Sequence, residues 1–198
     1  MRAAPVGMFA PVVGDDDAVF DLASETAWLT YGHPSGFLAA GYLGVAIAAL
    51  FRGDPLGIAL DTADRQLQRR EHHEEVARAV LTARALAAKG RPSPEDLETL
   101  GGGWVAEEAL AIAICCALAA SDFGGGIRLA ANHSGDTDST AAIAGNLLGA
   151  LLGEKAIPPA WLDPLELRSE IARIADDMHA AVTGALKAED ARGRYPGW

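Results

Sequence analysis

"FLAAGYLGVAIAALF", residues 37–51, holds a single tyrosine among Phe, Leu, Ala, Gly, Val and Ile. A stretch with no polar stripe has no face to offer water, so as a helix it must be enclosed on every side. "WVAEEALAIAICCALAA", residues 104–120, is a second stretch of the same kind behind two glutamates. Ala and Leu dominate both, and Ala is the best helix former and weak in strands. Two enclosed helices need a shell of other helices around them. The segments between supply it, because they show helical rather than alternating periodicity. The reading is an all-α, compact multi-helix bundle with buried central helices, one domain over 1–198.

The shell segments carry the expected punctuation. "VVGDDDAVFDLASETAWLTYG", residues 12–32, runs from three acids into Val19, Leu22, Ala23, Thr26 and Leu29 at helical spacing. Its acids complement the positive end of a helix and read as a solvated first turn. Asp54 and Pro55 read as a cap and first-turn proline for the next helix. Residues 61–89 are charged and amphipathic, and His72 and His73 fall in that wet run, as His179 does on the last amphipathic helix. Gly145 and Gly149 read as a small-residue pair for close helix packing. Residues 186–198 read as a frayed tail.

The formal net charge is −11 over 198 residues. Such a surface repels nucleic acid and anionic lipid, so no nucleic-acid or membrane partner is expected. Gly36–Phe51 and Ala109–Ala120 fall short of the ~20 apolar residues of a bilayer span. Cys115 and Cys116 are neighbours on a helix, about 100° apart, and read as buried reduced thiols of a cytoplasmic protein.

The chemistry concentrates in "NHSGDTDSTAAIAGNLLGALLG", residues 132–153, which switches from polar to apolar halfway. Asp136 and Asp138 stand where loop becomes helix, with Thr137, Ser139 and Thr140 interleaved. One acid there would cap the helix. Two acids with hydroxyls between them are also the hard oxygen donors that Mg²⁺ wants. The apolar remainder reads as another helix packed on all sides. His33 and Ser35 in "YGHPSGF" lie between two helices, as turn residues or facing a pocket at helix ends. The "GGGW" turn, Gly101 to Trp104, follows no strand and so is no dinucleotide loop, but it permits close backbone approach.

"MRAAPVG", "YGHPSGFLAAG", "GGGWVAEEALAIAI" and "NHSGDTDSTAAIAGNLLGALLG" come in the order and approximate spacing of the ADP-ribosylglycohydrolase family, which the chain resembles over most of residues 1–161. That family includes the hydrolase that reactivates bacterial dinitrogenase reductase. The resemblance implies an all-α enzyme that hydrolyses a glycosidic bond to ADP-ribose on a protein or small molecule. It implies a dinuclear Mg²⁺ or Mn²⁺ centre, one half of whose ligands fall on Asp136, Asp138 and Ser139. Contacts to the ADP-ribosyl substrate fall on His33, Ser35, Gly103, Trp104, Asn132, Gly135 and Thr137.

The departures carry expectations too. The family's other metal half-site, a Gly-Asp-Asp-Thr-like motif with an acidic residue on an N-terminal helix, has no match here. Met1-Arg2 matches the end of the family's phosphate loop, and Tyr31 stands where a histidine is usual. The chain is therefore expected to be the C-terminal portion of such an enzyme, completed by an N-terminal complementing chain or as a homodimer. The catalytic acid or base is unassigned. The alternative is an inactive helical module that binds ADP-ribose or a partner.

Overall fold

The computed structural model describes residues 1–197, which form two compact units, residues 1–158 and 159–197. The first contains Ala4–Met8 (α1), Ala10–Val13 (α2), Asp16–Trp28 (α3), Pro34–Phe51 (α4), Leu56–Leu67 (α5), Glu74–Ala87 (α6), Pro94–Glu98 (α7), Ala106–Ala119 (α8), Phe123–Ala130 (α9) and Thr137–Leu152 (α10), then a 3₁₀ turn. The second contains Pro159–Leu162 (α11), Arg168–Val182 (α12) and Ala188–Arg194 (α13). No strand occurs among the described residues, and the fold is all-α.

α4 is the axis of the first unit, packed against α1, α3, α5, α8 and α10. It starts three residues before the apolar run of 37–51, on Pro34 with His33 as N-cap. That length and composition would allow it to cross a membrane, yet 72% of it is buried, as befits a core helix. Close approach is secured by missing side chains. A Cβ on Gly44 would sit 2.6 Å from the Ala23 Cβ of α3, and one on Gly7 of α1 would overlap the Gly44 carbonyl. α8 is enclosed in the same way, from Ala109 to Ala117. Burial there pushes the Cys115 thiol up to about 11 and the Cys116 thiol higher still. Both are free and inert.

α10 differs from the expectation. It buries only one face, Thr140, Ile143, Ala144, Leu147 and Leu148, while Leu151 and Leu152 are exposed near its end. Gly145 lies 3.5 Å from Ile127 of α9, measured from the position of an added Cβ, but Gly149 meets nothing. Small residues tolerate solvent, so an Ala- and Gly-rich helix need not be enclosed. Asp54 does not cap α5 either. Pro55 takes the cap position without a side-chain bond.

One polar atom in the middle of α4 required a solution. Tyr42 is fully buried, and its hydroxyl donates to the Leu60 carbonyl at 3.2 Å and to Asp64 Oδ1 at 3.0 Å. Arg84 of α6 binds Asp64 and Asp61 at 2.6 Å each, so one network ties α4, α5 and α6. Burial raises Asp64, against the opposing pull of Tyr42 and Arg84. Arg70, between α5 and α6, holds that turn to α3, 4.7 Å over the Phe20 ring and 2.8 Å from Asp17.

In the second unit the expected frayed tail is a helix. Tyr195 donates to Asp177 Oδ2 at 2.8 Å and Arg194 donates to Asp177 Oδ1, which fastens the end of α13 to α12. Trp198 lies outside the described residues. Local polarity hid this, since the fastening contacts lie 17 and 18 residues apart.

Two measurements follow from these networks. Tyr42→Phe leaves the Asp64 carboxylate short of a buried donor and should cost about 1–2 kcal/mol in urea unfolding. Asp177→Ala should release α13, so that limited proteolysis cuts within residues 186–197 while unit 1 stays resistant.

Candidate functional site

The N-terminus of α10 is built by its own acids. Asp136 is the N-cap, with Oδ1 accepting from the Ser139 N–H at 3.4 Å and Oδ2 from the Ser139 hydroxyl at 2.8 Å. Asp138, in the first turn, accepts from the same N–H at 2.7 Å. Ser139 thus donates to both carboxylates. Hydrogen bonding with the Asp138 carboxyl group, and then with the Ser139 hydroxyl, holds Asp136 below the usual carboxylate range. The helix dipole favours the same charge.

The glycine-rich turn before α8 grips this end. The Asp136 N–H donates to the Gly102 carbonyl at 2.8 Å. A Cβ on Gly135 would overlap that carbonyl, so only glycine permits the approach. Gly103, at φ +75°, is buried against Thr140 of α10. Glu108, in the first turn of α8, reaches back so that its Oε2 accepts from the N–H groups of Gly102 at 3.0 Å and Gly103 at 3.1 Å. Glu98 accepts from the Ser134 N–H at 3.1 Å. Hydrogen bonds from the Ser134 side chain and backbone hold Glu98 below its usual range.

His133 braces the loop from inside. Its Nδ1 accepts from the Gly135 N–H at 3.1 Å, and its Nε2 lies 3.0 Å from the Thr140 hydroxyl. A backbone N–H can only donate, so this pattern assigns the proton to Nε2. Thr140 passes its own proton to the Ala130 carbonyl at 2.7 Å.

The residues singled out in the sequence divide into two places. Gly103, Gly135, Asp136, Asp138 and Ser139 come together, with Thr137 in the same helical turn. Trp104 is 73% exposed, its ring lying against Gly102, and Asn132 is exposed at the start of the loop. His33 and Ser35 belong to another network. His33 Nδ1 lies 3.0 Å from the Ser35 hydroxyl and 4.0 Å from Glu75 of α6. With Pro34, His72, Glu74 and Arg78, His33 and Glu75 line an open groove of about 350 Å³. The acids of residues 15–17 cap α3 and pair with Arg52 and Arg70.

Glu98, Glu108 and His133 escaped the sequence reading. A glutamate three residues into a helix behind a glycine run was the available signal for Glu108. Nothing in spacing alone distinguishes His133 from a turn residue. Among the described residues, no three or more His, Cys, Asp or Glu side chains converge as a metal cluster. The donors at the α10 terminus are all hard oxygens, which fits Mg²⁺ or Mn²⁺ in kind, while three donors are short of an octahedron.

Comparison with known proteins finds relatives of this chain. An ADP-ribosylarginine hydrolase, Tri1, from Pseudomonas putida is 29% identical over 126 residues, which is 62% of this chain and 32% of that protein. Its namesake from Serratia proteamaculans is 42% identical over 57 residues, 29% of this chain and 16% of that protein. The matched part thus spans about a third or less of the length of these curated relatives. The model of the ADP-ribosylglycohydrolase family matches residues 1–188, and the chain belongs to that family.

Proposed function

We propose that this chain takes part in metal-dependent hydrolysis of the glycosidic bond of an ADP-ribosyl group, with Asp136, Asp138 and Ser139 as one side of a Mg²⁺ or Mn²⁺ centre. The observation that carries the reading is the pair of carboxylates gathered on Ser139 at the start of α10. The two relatives named as ADP-ribosylarginine hydrolases make the N-glycosidic bond of ADP-ribosylarginine the first substrate to try.

When bound, such an ion polarises a ligand oxygen and lowers the pKa of bound water. The chain's own residues would do the rest. Asp136 and Asp138 bring negative charge to a point that the fold holds rigid. The exposed Trp104 ring offers a flat apolar face beside it, suited to a nucleoside. Gly103, Gly135, Asn132 and Thr137 border the same loop, whereas His33 and Ser35 would contact the substrate from their separate network at the start of α4. The ligands still wanting would come from a complementing segment or a second copy of the chain.

The lack of a three-residue metal cluster among the described residues favours one second reading, a module that binds ADP-ribose without cleaving it. Calorimetry with Mn²⁺ and ADP-ribose, beside a release assay on ADP-ribosylarginine, separates the two. Asp136→Asn keeps a good N-cap and should leave the melting temperature within a few degrees, yet weaken Mn²⁺ binding at least tenfold. Asp136→Ala with Asp138→Ala should abolish it. ADP-ribose binding with no release, with or without Mn²⁺, would select the binding module. Mn²⁺ binding untouched by the double substitution would remove the assigned centre.

A further inference from the structure

We propose that Glu108 is a positioning residue for Asp136, acting through the peptide group between Gly102 and Gly103. The inference extends the reading of Asp136 as a metal ligand and rests on it for its functional meaning. Its geometry stands by itself. The Gly103 N–H and the Gly102 carbonyl belong to one planar trans peptide, so they point in opposite directions. Glu108 Oε2 takes that N–H at 3.1 Å. The carbonyl is thereby aimed away from Glu108, and it receives the Asp136 N–H at 2.8 Å.

Three features separate this from ordinary capping. The same Oε2 also takes the Gly102 N–H at 3.0 Å, so a single charged oxygen fixes two successive amides. An N–H bonded to a carboxylate strengthens the acceptor at the other end of its peptide, since linked hydrogen bonds polarise one another. The turn is also shaped to admit the carboxylate. Gly101 has φ +116°, and a Cβ on it would overlap the Glu108 carboxyl carbon. α8 is a buried core helix, so Glu108 refers the position of Asp136 to an enclosed element of the unit.

Amide hydrogen exchange by NMR on the full chain, with Mn²⁺ binding followed by electron paramagnetic resonance, tests the relay. Glu108→Ala should reduce protection of the Gly102, Gly103 and Asp136 amides about tenfold or more and weaken Mn²⁺ binding by about 10–100-fold, the usual effect of removing an outer partner. Glu108→Gln keeps an acceptor oxygen at the same reach and should restore both to within about threefold. Glu108→Asp keeps the charge but is one methylene short, and should behave as the alanine variant does. That contrast also serves if Glu108→Ala does not fold. Unchanged protection at Asp136 in Glu108→Ala, equal protection in the Asp and Gln variants, or a loss spread evenly over α8 and α10 would each overturn the proposal. Wild-type protein that binds no Mn²⁺ would remove the metal reading, and the amide protection would then decide the positioning role alone.

Discussion

α4 has almost nothing to give to water, and the first unit is organised by that constraint. Each helix packed on it must contribute an apolar face, which is why α3, α5 and α6 are amphipathic. Fit is set by absent atoms as much as by present ones, because Gly7 and Gly44 let backbones meet where any side chain would hold them apart. Interior packing of that density makes an unsatisfied polar atom costly. The Tyr42 hydroxyl is accordingly answered by Leu60 and Asp64, with Arg84 balancing the carboxylate.

The same constraint governs the acidic end of α10. α8 is fixed because it is enclosed, and the turn before it is fixed by Glu108. Asp136 is bonded to that turn through its backbone, which leaves its carboxylate free of the work of holding the loop in place. The arrangement gathers negative charge at one place, with Asp136 and Asp138 beside a turn that already holds Glu108. Helix N-termini and backbone amides offset part of it. Glu108 has two amide donors, whereas Asp138 shares the single Ser139 N–H with Asp136. Residual negative potential at Asp136 and Asp138 is the electrostatic argument behind the proposed cation.

Much of this was legible in the sequence, for reasons that lie within single segments. The near-absence of polar residues in 37–51 identified a core helix, and the spacing of Asp136 and Asp138 identified a cap with an acid to spare. What escaped depends on contacts between segments. The enclosure expected for α10 fails because alanine and glycine carry no strong preference for the interior. α13 was hidden because it is held by Asp177, far off in sequence. Glu108 was hidden because its partners are backbone amides, which are the same in every residue and leave no signature.

The loop from Ala130 to Thr140 is held twice, and the two holds differ in kind. His133 binds Gly135 on one side and Thr140 on the other, and Thr140 returns to the Ala130 carbonyl. That circuit closes within the loop and fixes its shape without reference to any other segment. The Gly102 carbonyl and Glu98 bind it from outside, and they fix where the shape sits. Shape without placement would present two carboxylates at an uncertain point, and placement without shape would present them in an uncertain mutual geometry. A ligand that must meet both carboxylates needs both conditions at once, to within a fraction of an ångström. The internal histidine brace meets the first condition, and the external hold from the Gly102 carbonyl and Glu98 meets the second.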